Sequence, residues 1–137
     1  MKKKCLPLIL VLFGTSSTLW AVDSPQKVRV SLTDSSISLD VGTVKPGKVI
    51  FEIVNGVGSK LEHEFVVLRT DLHSGSLPLK DGKVEEGKVK NVGEIEGIKP
   101  GKMKRLALTL KEGSYSIICN IQGHYGMGMN TAFVVVK

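Results

Sequence analysis

Apolar side chains recur at every second position in this chain rather than every third or fourth. Val28, Val30 and Leu32 alternate with Lys27, Arg29 and Ser31, and Ile37, Leu39 and Val41 alternate with Ser38, Asp40 and Gly42. A period of two places one row of side chains on each face of an extended backbone, so both segments are predicted to be strands with one face in a core. Further strands are predicted over 49–54, 64–69, 103–110, 114–119 and 131–136. No long amphipathic helix is predicted anywhere. The tetrapeptide Lys-Pro-Gly-Lys occurs at 45–48 and again at 99–102. Proline fixes φ at the second turn position and glycine supplies positive φ at the third, so both copies are predicted hairpin corners of type II. The polar stretch from Thr70 to Asn91 is long for a connection inside one domain and is expected to hold a short helix or a functional flap. About seven or eight short strands joined by glycine- and proline-rich turns predict an all-β protein, an antiparallel Greek-key β-sandwich or barrel.

Length and composition limit what such a sandwich can do. A chain of 137 residues with 42% hydrophobic and 23% charged residues is the size of one domain, neither a disordered chain nor a protein of many membrane spans. The formal charge of +6 is concentrated at the start. Lys2, Lys3 and Lys4 are basic, Cys5 to Phe13 is apolar and Gly14 to Ala21 is small and polar. This layout is that of a secretory signal peptide over residues 1–21, followed by a domain over 22–137 and implying export to the periplasm or another extracytoplasmic space. The apolar run is well short of the roughly 20 residues a bilayer span needs, so no membrane span is expected in the mature chain. Beyond residue 21 the balance is only mildly basic, and aromatics are 5% of the chain, which leaves little support for nucleic-acid binding. The lysine-rich surface leans toward a monomer. Cys5 departs with the leader, so Cys119 is left as a lone thiol in an oxidising compartment, where it must be buried, paired with another chain or bound to a metal.

The chemistry concentrates in Cys119-Asn120-Ile121-Gln122-Gly123-His124-Tyr125-Gly126-Met127-Gly128-Met129, which lies between two predicted strands. A loop returning between neighbouring strands folds back on itself, so its thiol, imidazole and thioethers can converge. Thiolate and thioether are soft donors and imidazole is intermediate, a set that favours copper over magnesium or calcium. His63, just ahead of the strand over 64–69, is the candidate for a further donor. His73 lies in the polar loop without a partner and reads as a solvated side chain, and Met103 reads as core or rim packing.

Cys119, His124 and Met129, spaced Cys-x4-His-x4-Met with Gly123 and Gly128 ahead of the last two, resemble the copper loop of the cupredoxins, above all rusticyanin, sulfocyanin and auracyanin-type members. The stretch from Asn55 to Val67 resembles the segment that carries their first histidine. The resemblance runs from about Val28 to Val136. It implies a type 1 blue copper protein holding one Cu(I)/Cu(II) ion, with His63, Cys119 and His124 as equatorial ligands and Met129 as the axial one. It also implies single-electron transfer rather than enzyme catalysis, with redox proteins docking near His124, Tyr125 and Met127. The alternative function is copper storage or delivery in the cell envelope. Two departures stand out: Glu64 replaces the Asn or Ser that ties the ligand segments together in several relatives, and Met127 is an extra thioether that competes with Met129.

Overall fold

The computed structural model describes residues 24–137, so the predicted leader over 1–21 lies outside the described residues. Eleven strands run β1 (Gln26–Thr33), β2 (Ser36–Leu39), β3 (Thr43–Val44), β4 (Gly47–Asn55), β5 (His63–Arg69), β6 (Leu79–Lys80), β7 (Lys83–Val84), β8 (Lys90–Ile98), β9 (Met103–Leu110), β10 (Gly113–Ile118) and β11 (Asn130–Val135). One sheet has the order β2-β1-β4-β9 and the other β3-β11-β10-β5-β8, while β6 and β7 pair only with each other. Helical structure among the described residues is limited to two single 3-10 turns, Glu86–Lys88 and Tyr125–Met127. No helix among these residues is long and apolar enough to cross a membrane.

The period-two rows meet as expected. Val28, Val30 and Leu32 of β1 and Val49, Phe51 and Ile53 of β4 face Phe65 and Val67 of β5, Ile117 of β10 and Phe133 of β11 in one core between the sheets. Phe51 is its centre, with ring centroids 5.2 Å from Phe65 and 5.5 Å from Phe133 in tilted and edge-on arrangements favoured by the ring quadrupoles.

Four features differ from the sequence reading. The pairing is not wholly antiparallel: β1 runs parallel to β4 and β11 parallel to β3. Strand β2 stops at Leu39 because Asp40 turns back on β1, its Oδ1 accepting from Arg29 N–H at 2.8 Å, and Val41 ends up exposed. Neither Lys-Pro-Gly-Lys corner is a hairpin. Each carries the chain from one sheet to the other, β3 to β4 and β8 to β9. The second copy does close as a turn, Lys102 N–H donating to Lys99 O at 3.0 Å with Gly101 at φ +69°. Finally, β8 has no clean alternation to read. Gly93 lies where a Cβ would meet the Leu108 side chain, and Gly97, at φ +66°, sits in a bulge that sets Glu96 and Gly97 against the single residue Glu64.

The polar stretch after β5 is a cover. Leu77 and Val84 pack with Val66, Leu68, Ile118 and Tyr125 in a second cluster on the outer face of β5 and β10. Both faces of these strands are therefore dry, which accounts for the unbroken runs Phe65-Val66-Val67-Leu68 and Ile117-Ile118-Cys119. The cover holds the β6–β7 hairpin, turned at Asp81 (φ 52°) and Gly82 (φ 76°), and the first 3-10 turn.

Replacing Phe51 by Ala removes the ring that joins the two sheets. The expected loss is about 3–5 kcal/mol of unfolding free energy, measured by urea titration of the purified domain.

Candidate metal centre

Three of the candidate donors converge. Cys119 follows the last residue of β10, and His63 opens β5, the adjacent strand. His124 sits at the start of the 3-10 turn in the β10–β11 loop. His63 Nδ1 and His124 Nδ1 are 3.2 Å apart, Cys119 Sγ is 3.3 Å from His124 Nδ1 and 3.9 Å from His63 Nδ1. All three residues are buried. Metal–donor bonds of about 2.0 Å to nitrogen and 2.3 Å to sulfur, as zinc makes them, separate the atoms of a trigonal set by roughly 3.5 Å. The observed triangle fits an ion of that size.

Burial acts on all three groups, favouring imidazoles that can ligate while opposing ionisation of the thiol. Burial pushes the Cys119 thiol up, against the pull of the Glu64 and Ile121 amides. Burial likewise holds both imidazoles below the ordinary histidine value, helped at His63 by the neighbouring His124. Each shift favours the uncharged form, which for an imidazole leaves one nitrogen lone pair available. The Glu64 amide donates to Cys119 Sγ at 3.4 Å, a contact that steadies negative charge on sulfur. This link runs through the backbone, so it survives the side-chain departure at position 64. The Glu64 carboxyl itself is raised by desolvation, with Lys83 acting in the other direction.

The loop is anchored at several points. Cys119 N–H donates to Met129 O at 3.1 Å and Met129 N–H to His124 O at 3.2 Å, which closes the loop at its base. Tyr125 Oη donates to Ser74 O at 2.6 Å and accepts from Leu77 N–H at 2.9 Å. Asn120 accepts from Val84 N–H at 2.7 Å, and donates to Val84 O at 3.1 Å and to Glu86 Oε1 at 2.8 Å. Gly123 N–H reaches Gly82 O at 2.9 Å. On the His63 side, Asn55 Nδ2 donates to Leu61 O at 2.9 Å and Ile98 O at 2.8 Å, pinning the segment that leads into His63.

The remaining candidates separate by exposure. Met129 is fully buried in the core cluster, while Met127 is 50% exposed. His124 is 7% exposed, the most exposed of the three converging donors. Tyr125, expected at a docking surface, is instead buried as an anchor between the loop and the cover. His73 is exposed, with its Nδ1 accepting from Gly75 N–H at 3.2 Å, and lies outside the cluster. The residue that sequence reasoning missed is Asp34, in the turn between β1 and β2. Its Oδ1 lies 3.4 Å from His63 Nε2, and nothing in the tetrapeptide Thr33-Asp34-Ser35-Ser36 distinguishes it from an ordinary turn aspartate.

No protein-family model matches the chain, and no curated protein sequence does. Solved structures do. Dithionite-reduced auracyanin from Roseiflexus castenholzii superposes with a TM-score of 0.61 at 15% identity, over 83% of this chain and 99% of the auracyanin. Rusticyanin from Thiobacillus ferrooxidans gives 0.52 at 19% identity, over 82% and 79%. The copper nitrite reductase of Nitrosomonas europaea gives 0.52 at 17%, over 82% of this chain and 41% of the enzyme. At these identities the likeness is one of fold, and the fold is the one the cupredoxin resemblance implied.

Gly128 offers a direct test of the loop geometry. It lies at φ +106°, ψ 7°, and a Cβ there would stand 3.0 Å from the Ser35 carbonyl oxygen. Gly128→Ala is expected to cost about 2 kcal/mol in urea-induced unfolding, since left-handed backbone alone costs roughly 1–2 kcal/mol for a residue with a Cβ.

Proposed function

We propose that the protein is an exported type 1 (blue) copper protein that carries single electrons between redox partners. The observation that carries this reading is the triangle of His63 Nδ1, Cys119 Sγ and His124 Nδ1, all within 4.8 Å of one another and buried. One thiol and two imidazoles form a donor set suited to copper, and a trigonal arrangement with a weak axial thioether is the donor pattern of blue-copper electron-transfer sites. Bound copper supplies a one-electron Cu(I)/Cu(II) couple.

The chain's own residues do the rest. His63 and His124 offer Nδ1, and Cys119 gives up its proton to ligate as thiolate. Met129 is the proposed axial donor: its burial beside the loop base and its backbone bonds to Cys119 and His124 support it over the half-exposed Met127. Phe65, Phe133 and the adjacent core keep water from one side. Anchors on both ligand segments keep the donors in place when charge changes, which favours fast electron exchange. Electrons pass at the His124 edge, where a redox protein docks over the exposed Met127. Residues 1–21, with their basic start and apolar run, are proposed to direct export to an extracytoplasmic space and to leave a mature domain over 22–137.

Loading the domain with cupric salt should give an intense visible band and a narrow copper hyperfine splitting in electron paramagnetic resonance, with a reversible couple in voltammetry. Cys119→Ser should remove the visible band. Colourless, tight cuprous binding with transfer to an acceptor would instead mark a storage or delivery protein. Among the methionines, Met129→Leu should retain copper and raise the reduction potential, while Met127→Leu should leave the potential nearly unchanged. The reverse ranking reassigns the axial donor.

A further inference from the structure

The first imidazole has a second side. His63 is fully buried, and its Nε2 makes no hydrogen bond of good geometry. It faces Asp34 Oδ1 at 3.4 Å. Asp34 is not a free surface carboxylate. Its Oδ1 accepts from Lys60 N–H and Leu61 N–H, each at 3.1 Å, and its Oδ2 from Lys60 N–H at 3.0 Å. The backbone amides just ahead of His63 therefore hold the carboxylate in place. Held in this way, the carboxylate has its orientation set by chain that leads directly into His63.

A neutral imidazole carries one N–H and one lone pair, and which nitrogen holds which is decided by what each faces. A carboxylate opposite Nε2 favours the proton there. That leaves the lone pair on Nδ1, which faces Cys119 Sγ and His124 Nδ1. A carboxylate behind a ligating imidazole also raises its basicity, and so favours the more highly charged metal ion. From this arrangement, and resting on the copper reading above, we infer that Asp34 is a positioning residue for His63: it fixes the Nε2–H tautomer and biases the site toward Cu(II). Through its amide contacts the same carboxylate couples the β1–β2 turn to the segment over 56–62, so the ring and its approach are set by one group.

Two measurements test this. In metal-free wild-type protein, nitrogen-15 long-range correlation spectra should show His63 protonated at Nε2 and bare at Nδ1, and Asp34→Ala should turn that into a mixture. A wild-type ring protonated at Nδ1 overturns the assignment. In copper-loaded protein, Asp34→Asn keeps the shape and removes the charge. If cupric affinity falls about ten- to a hundredfold relative to cuprous, as loss of such outer partners costs, the potential rises by roughly 60–120 mV at 59 mV per tenfold for one electron. An unchanged potential in Asp34→Asn, with only a lower melting temperature, reduces Asp34 to a loop anchor and overturns the proposal. A wild-type domain that takes up no copper defeats the copper reading instead, and the tautomer spectra, which need no metal, still decide whether Asp34 sets the ring.

Discussion

Three polar donor atoms crowded together inside an apolar core are the constraint around which this molecule is organised. His63, Cys119 and Met129 are fully buried, and Cys119 and Met129 belong to the same packed cluster as Phe51 and Phe133. Buried nitrogen and sulfur donors are costly in a dry environment, and here they find one another and the Glu64 amide. Burial favours the uncharged forms of His63, Cys119 and His124, and that lowers the cost without removing it. The sandwich must therefore hold the donors against their tendency to seek water or separate. Relaxed packing would let them do either, so the site depends on rigidity at its periphery as much as on the donors themselves.

That rigidity comes from two directions. The loop 119–129 is fastened to the cover through Tyr125, Asn120 and Gly123, each bonded to backbone of the 70–91 stretch. The cover in turn is held by Leu77 and Val84 against the outer face of β5 and β10, the strands that deliver His63 and Cys119. A polar connection too long for a simple turn is thus the outer wall of the ligand loop. On the opposite side Asn55 and Asp34 fix the approach to His63, one through carbonyls and the other through amides. The bulge at Gly97 lies beside this residue, in the β8 segment that pairs with Glu64, and increases the local twist where the imidazole leaves the sheet.

Much of this was legible in the residues. Strict alternation identified β1 and the start of β2, and the run over 49–54 behind a Pro-Gly corner identified β4. Three donors at Cys-x4-His and ahead of a strand could be paired because a hairpin loop and an adjacent strand leave little freedom in where their ends meet. What escaped depended on tertiary partners. Strand β8 was hidden because its glycines answer to Leu108 and to a bulge rather than to its own period. Of the two Pro-Gly corners only the second forms the turn read from its residues, with Gly47 of the first at φ +135°, and neither local sequence carries information about which sheet receives the next strand. Tyr125 reads as a loop aromatic until the cover is in place to accept its hydroxyl. Asp34 is the extreme case: a turn aspartate acquires its meaning from a histidine 29 positions away in sequence.

The two halves of the site are built on different physics, and this bears on how its charge state is controlled. At the sulfur, the contact is a backbone amide, that of Glu64, which exchange of the side chain leaves in place. At His63, it is an ionisable side chain whose identity can be altered without touching a ligand. A fold that contacts its buried sulfur through the main chain and its imidazole through a carboxylate has one contact that is constant and one that is adjustable. Substitutions in the β1–β2 turn can then alter the surroundings of His63 while the donor triangle, pinned from the other side by Tyr125 and Asn120, keeps its shape. The turn lies far from the ligand loop in sequence but against His63 in space. The surroundings of the donors can therefore be changed from outside the set of residues that brings them together.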